Sequence, residues 1–414
     1  MVSIDHEKGV LTPEHVSVET RHDETAEHGF VDERKLVLKM DLRILPILVL
    51  VYLTAFIDRV NIGNAQLFSL KEDLGLTTNK YNIALAVFFV SYIAFEIPAN
   101  IVLKKFKPHV FTQRRFSFFL CGATLAGAFG GLLATAIGHM NGVRGYNAWR
   151  WIFIIEGLAT CVLSVLAYFV VTDFPEDAKW LSEAERALAI RRLAEEQGES
   201  HLDEKVGFSS VLQSLTDLKT LVAGFIYFGP TMSGYSLAYF IPTIVSTYGY
   251  SPIQSQLYSI PPWAAAFALS IIMAYLSDKA GKRFPFILFN FLLALAGVVT
   301  LFTFHGNHHA RYAALCLYTM GVFSVIPIVI CWFVMNLEGH KDRAVGSAWM
   351  IGFGNCAGLV STFAFPAKDK PLYHTGYSLG IGLLCMSIVA SSIYYVLCVL
   401  ENRKRSGVQK KLLL

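Results

Sequence analysis

The 414-residue chain is 54% hydrophobic with only 16% charged residues, and its mean hydropathy of +0.48 lies outside the range of soluble globular domains. A net charge of +4, from 35 Lys and Arg against 31 Asp and Glu, is too small for a nucleic-acid-binding surface. The seven cysteines, Cys121, Cys161, Cys316, Cys331, Cys356, Cys385 and Cys398, all fall inside apolar runs without the close pairing of a metal site, and read as small packing residues.

Residues 1–38 are polar, rich in His and Glu, and lack the basic-then-apolar pattern of a signal peptide, which predicts a disordered cytosolic tail. Apolar runs of roughly 18 residues or more then recur, each long enough to cross a hydrocarbon core of roughly 30 Å. They predict ten helices near 44–65, 82–103, 116–137, 150–172, 220–247, 257–276, 285–304, 312–335, 345–366 and 378–400. Basic clusters alternate with these spans, at Lys39 and Arg43, Lys104 to Arg115, Arg186 to Arg192, Lys279 to Arg283, Lys341 and Arg343, and Arg403 to Arg405. By the positive-inside rule both termini face the cytosol, and the plasma membrane is the expected location. The fold class is all-α: a polytopic bundle of four spans over 39–172, a cytosolic linker over 173–219, six spans over 220–400 and a cytosolic tail over 401–414. In the linker, Ser182 and Glu185 form a capping box and Ala187, Ile190 and Ala194 make an apolar stripe, so an amphipathic helix is predicted there.

The two groups of spans repeat each other. Span 116–137 follows Arg115 and carries Gly127 and Gly131, while span 345–366 follows Arg343 and carries Gly354 and Gly358. Such small-xxx-small faces let helices approach closely. The second of these spans is the fifth in its half and the first is only the third. Two helices, roughly 60 to 80 residues with their connections, therefore have no counterpart in the first half, and the gap falls between Lys104 and Arg114.

In chain order, the first polar feature inside a span is Asp58-Arg59, followed by Asn61. An ionised pair there costs several kcal/mol per charge unless it works. Either Arg59 binds a substrate carboxylate while Asp58 handles a proton, or the pair orients the helix at the outer interface. Glu96 is a buried carboxylate that serves as a fixed link or in proton coupling. Glu156, following Trp149 and Trp151, reads as structural. Gly229-Pro230, Pro242, Pro261-Pro262 and Pro327 are candidates for broken helices lining a polar cavity, with Tyr235, Tyr239, Asn336 and Asn355 as its donors. In the loop 277–283, Asp278, Gly281, Lys282 and Arg283 form a gating element in which Asp278 meets the N-terminus of the helix near Arg343. The run His305 to His309 has no acidic or thiolate partner and reads as a solvated turn. No nucleophile elbow, phosphate loop or catalytic acid pair is present, so neither an enzyme nor a cofactor is expected.

Asp58 to Ala65 (DRVNIGNA), Tyr81 to Phe106 (YNIALAVFFVSYIAFEIPANIVLKKF), Trp149 to Gly157 (WRWIFIIEG), Asp173 to Arg186 (DFPEDAKWLSEAER), Ala274 to Arg283 (AYLSDKAGKR) and Arg343 to Asn355 (RAVGSAWMIGFGN) together resemble the anion:cation symporter branch of the major facilitator superfamily, in particular its fungal allantoate and nicotinate permease-like members. The resemblance runs from about Lys39 to Leu400. It implies the major facilitator fold with about ten helices (4 + 6) in place of twelve, the third and fourth being absent. It further implies proton-coupled symport of a small organic anion, a monocarboxylate or ureide, by a monomer in the lipid bilayer, with Asp58 in proton coupling and Arg59 in anion binding. The alternative is a non-transporting short form of such a transporter.

Overall fold

The computed structural model describes residues 32–105, 113–170, 180–197, 216–337, 339–405 and 411–414. Its helices of six residues or more are α1 (Glu33–Ala65), α2 (Thr78–Lys105), α3 (Gln113–Gly138), α4 (Ala148–Val170), α5 (Glu183–Gln197), α6 (Leu218–Ser246), α7 (Pro252–Leu257), α8 (Ile260–Ala280), α9 (Phe284–Thr303), α10 (His308–Met335), α11 (Gly339–Phe363) and α12 (His374–Lys404). Among the described residues there is no strand, as expected where lipid offers the backbone no hydrogen-bond partners and each segment must satisfy its own. Six stretches meet the length and hydropathy of a membrane span: 35–68, 148–169, 252–280, 284–303, 308–335 and 374–404. The chain is therefore an integral membrane protein.

Local chemistry sets several helix ends. Asp217 caps α6 by accepting from the Thr220 N–H, Ser251 and Gln254 form a capping box on α7, and the Asn307 side chain accepts from the His309 N–H at 2.9 Å to start α10. Gly281 ends α8 at φ +62°, where a side chain would be strained. Pro261 and Pro262 do not break a helix. They sit in the first turn of α8, where a missing N–H costs nothing. Pro230 and Pro242 lie inside α6 and Pro327 inside α10.

Two expectations for the polar segments change. Residues 33–38 belong to α1 and 401–404 to α12, so neither stretch is a separate tail. The capping box of α5 forms, with the Ser182 N–H donating to Glu185 Oε2 at 2.9 Å and the Glu185 N–H to Ser182 Oγ at 3.3 Å. Its apolar face is rotated, however: Ala187 is exposed, and Leu181, Leu188 and Ala189 pack on Leu36 and Met40 at the start of α1. The reason is that α1 continues outward far enough to offer those side chains. Lys39 and Glu185 pair beside this contact at 2.7 Å, and the hydrogen bonds from Lys39 hold the Glu185 carboxyl below the usual range.

Helices α6 to α12 form one bundle, with α9 against α10, α8 against α10, and α6 against α11 and α12. In the other, α1 packs on α3 and α4, while α2 packs along α11 of the opposite bundle. The two halves exchange equivalent contacts: Gly127 of α3 seats the Trp263 ring of α8, and Gly358 of α11 seats the Phe89 ring of α2. Thus α3 occupies toward α8 the place that α11 occupies toward α2. Among the described residues nothing in the first half corresponds to the α9–α10 pair.

The seam closes from mid-depth toward the end remote from the basic clusters. A Cβ on Gly63 would lie 2.7 Å from the Tyr239 carbonyl oxygen, and Gln256 Nε2 donates to the Asn64 carbonyl at 3.2 Å. In the connection between α1 and α2, the Lys71 ammonium lies 4.1 Å from the Tyr81 ring centroid. Burial, then the facing Lys370, pulls it down to about 8.

Two measurements check this seam. Gly63→Ala is expected to lower the unfolding midpoint of the purified protein by about 5 °C, because the backbone of α6 has to retreat; an unchanged midpoint would show that the contact is not made. Opening the seam solvates Lys71 and returns its ammonium to the ordinary value, so the closed form releases the proton first and gains stability as pH rises from about 8 to about 10. Spin labels at Asn79 and Lys368 should report a growing closed population over that interval, and Lys71→Met should remove the dependence.

Candidate functional site

A cavity of about 80 Å³ lies at mid-depth between the bundles, walled by Tyr52, Phe56, Arg59, Thr124, Thr231, Tyr235 and Pro327 among others. Arg59 enters it from α1, where Nη1 donates to the Tyr235 hydroxyl of α6 at 2.7 Å. That hydroxyl in turn donates to Asn355 Oδ1 of α11 at 3.2 Å. A polar chain thus runs from the first bundle to two helices of the second. Aromatic rings enclose the guanidinium, whose central carbon lies 4.9 Å from the centroid of Tyr92, 5.1 Å from Phe88 and 5.7 Å from Tyr235. These are cation–π distances. Its Nε is buried without a hydrogen-bond partner, and among the described residues no carboxylate pairs with it.

The second wall is aromatic and prolyl. The Tyr235 ring stacks at 6.4 Å on Tyr239 and meets Phe89 edge-on at 4.9 Å. Tyr239 is itself 1% exposed and presents its backbone to Gly63, so it supports the site from behind. Pro327, inside α10, faces the same cavity.

Asp58 and Arg59 do not form a pair. Successive residues on a helix diverge by about 100°, and Asp58 turns away from the cavity to reach Thr160 of α4. It is exposed on the protein surface. Asn61, on the same side, is 1% exposed with an unpartnered Oδ1 and neighbours Glu156. Glu156 is 4% exposed, and neither carboxyl oxygen has a hydrogen-bond partner of good geometry. This side chain, read from sequence as structural, lies inside the first bundle, between α1 and α4. The side chain of Glu96 lies outside the described residues.

The gating residues gather in their own turn. Arg283 pairs with Asp278 and donates to Ser277 Oγ at 2.9 Å, and the Lys282 carbonyl accepts from that same hydroxyl at 3.2 Å. Among the described residues Asp278 makes no contact with the start of α11; the neighbouring guanidinium takes its carboxylate. Arg343 donates to the Leu337 carbonyl at 3.1 Å. Asn336 also leaves the cavity set; its amide is taken by Leu413 and neighbours Cys398. The residues the sequence reading missed are the aromatic enclosure, Phe88 and Tyr92, and the polar wall positions Thr124 and Thr231. Phe88 and Tyr92 stand four apart on α2, the spacing of one helix face, which was the available signal.

Three comparisons bear on the chain. The sequence profile of the Major Facilitator Superfamily matches residues 108–366. MFS transporter prlL, from a fungal species (strain NRRL 50135), is 30% identical over 90% of this chain and 88% of its own length. A putative tartrate transporter of Agrobacterium vitis is 30% identical over 87% and 95% respectively. Among solved structures, the partially occluded inward open xylose transporter XylE from E. coli superposes with a TM-score of 0.59 at 13% identity, covering 86% of this chain and 98% of that one. The prlL alignment runs over 434 residues, whereas 90% of 414 is about 373, so about 60 positions of that relative face no residue here.

The Arg59–Tyr235–Asn355 chain is testable as a unit. Tyr235→Phe and Asn355→Ala should each destabilise the purified protein by about 1–2 kcal/mol, and the double variant should cost less than the two added together, since each single change already breaks the chain. Strict additivity in chemical or thermal unfolding would separate the two contacts.

Proposed function

The chain belongs to the Major Facilitator Superfamily, and from that premise we propose that it is a proton-coupled symporter of a small organic anion, a monocarboxylate or ureide, working by alternating access between its two bundles. The observation that carries this reading is the half-buried guanidinium of Arg59, which has a buried, unpartnered Nε and no described carboxylate beside it. A cation at mid-depth in a membrane protein is costly unless an anion meets it, and guanidinium matches a carboxylate in two parallel hydrogen bonds. Here the substrate supplies that anion. The aromatic rings around Arg59 exclude water, and the cavity volume of about 80 Å³ suits a ligand of few heavy atoms. The name of the Agrobacterium vitis relative, a putative tartrate transporter, agrees with a carboxylate substrate.

Asp58 is the proton carrier in this reading. It shares α1 with Arg59 and faces Thr160 of α4, so a change in its charge is felt by the same helix that holds the anion. The basic clusters support a reading with both termini in the cytosol, in the plasma membrane; on it the closed end of the seam is the outer one and the conformation is inward-facing.

A second reading is favoured by the burial of the first bundle. In α1 and α4 only 11% of the apolar window is buried, against 78% in α10, and about 60 positions of a curated relative face no residue here. On this reading the chain is a short, non-transporting form lacking the third and fourth helices, the join lying near 110–114, at the edge of the described residues. Sequencing transcripts across codons 104–116 separates a spliced form from a misread gene.

Transport itself decides between the two readings. Proteoliposomes holding the purified chain should accumulate labelled acetate, a monocarboxylate, or allantoate, a ureide, when an inward proton gradient is imposed. Arg59→Ala should abolish that uptake and Asp58→Asn should uncouple it from the gradient. Uptake that survives Arg59→Ala would remove the guanidinium from the mechanism, and no uptake by a folded chain would leave the short-form reading.

A further inference from the structure

At the end of the second bundle that carries the basic clusters, the segment Leu412–Leu414 lies in a groove that reads its backbone with side chains. Asn402 of α12 takes both polar groups of Leu412: its Oδ1 accepts from the Leu412 N–H at 2.7 Å, and its Nδ2 donates to the Leu412 carbonyl at 2.9 Å. Asn336, at the end of α10, does the same for Leu413, at 2.8 Å and 3.1 Å. The Trp332 indole N–H adds a bond to the Leu413 carbonyl at 3.0 Å. The backbone N–H of Arg283, which precedes α9, donates to the Leu414 carbonyl oxygen at 2.6 Å.

A primary amide carries a donor and an acceptor side by side, the same pair that a residue in an extended chain presents. Two asparagines on different helices, set to bracket consecutive residues, therefore form a recognition element for extended peptide. The side chains of the segment supply the apolar part. Leu412 is 6% exposed and belongs to the same core as Trp332, Tyr394 and Cys398, while Leu413 and Leu414 pack against that core. With the segment seated, the Trp332 indole N–H and the Asn336 amide find partners in its backbone while Trp332 is 1% exposed.

We propose that this groove is a peptide-binding site for an extended apolar tripeptide, filled by Leu412–Leu414 of the same chain, and that seating the segment ties the 277–283 turn to α10 and α12. Arg283 is the link. Its side chain holds Asp278 and Ser277 while its backbone holds Leu414, so the turn and the segment share one residue. Leaving the groove would free Arg283, Trp332 and Asn336 together, making the segment a removable staple across three helices.

Hydrogen–deuterium exchange on the full chain in lipid nanodiscs tests the assignment. The amides of Leu412, Leu413 and Arg283 should exchange at least about 100-fold more slowly than unstructured peptide. In the Asn336→Ala, Asn402→Ala double variant, the Leu412 and Leu413 amides should return to unstructured rates while the interiors of α9, α10 and α12 keep their protection, which shows that the bundle is folded. Replacing Leu412, Leu413 and Leu414 by Ala leaves every backbone bond available and removes only the apolar burial. Protection of the Arg283 amide should nonetheless fall. Unstructured exchange at Leu412 and Leu413 in the unmodified chain would overturn the proposal, as would full protection in the trialanine variant.

Discussion

A guanidinium enclosed by aromatic rings at mid-depth, with no described carboxylate at hand, is the constraint on which the rest of the site depends. Arg59 cannot be left in lipid, and the fold meets its cost in part through Tyr235 and Asn355, which belong to the other bundle. The same contact that solvates the cation therefore couples the bundles. A ligand that competes with Tyr235 for Arg59 acts directly on the seam, and the free energy of binding becomes available to shift which end is closed. On the proposed function, substrate recognition and conformational bias reside in one hydrogen-bonded chain.

Glycine makes that chain possible. Gly63, Gly127 and Gly358 each occupy a point where a neighbouring backbone or ring sits in the space of a side chain, so α1 meets α6, α3 meets α8 and α2 meets α11 at close range. These approaches bring the Tyr235 hydroxyl within reach of Arg59 without a water between them. They also explain why the contacts come in a matched set. The repeat places a glycine pair in each half, and each half inserts an aromatic ring into the pair of the other, Trp263 at Gly127, the first of its pair, and Phe89 at Gly358, the second.

The sequence made much of this legible where the signal was local or periodic. Apolar run length predicted the helices, the Ser182–Glu185 spacing predicted a cap that forms, and the glycine pair after Arg115 and after Arg343 marked the two helices that exchange partners. What escaped depended on rotation or on distant chain. Adjacent charges read as a pair, yet a helix turns Asp58 toward α4 and Arg59 toward α6, so sequence adjacency implied the opposite of what the geometry does. Pro261-Pro262 looked like a break because composition does not say whether a proline is in the first turn or the middle of a helix. Asn336 looked like a cavity donor because nothing in its neighbourhood foretells that Leu413, 77 residues later, takes its amide.

The two bundles are built to different standards, and this difference bears on what the chain can do. In the second, α10 is surrounded on most sides and its helices are stapled at one end by a seated tripeptide. In the first, α1 and α4 are largely bare along their apolar windows, Asp58 stands on the surface, and α2 leans on α11 of the opposite half. Lipid can cover bare leucine at no loss, because it is as apolar as a neighbouring helix. It cannot cover a carboxylate. The first bundle is therefore limited less by packing than by the environment of Asp58, and on the proposed function a proton at that position is what lets α1 carry Arg59 between two arrangements.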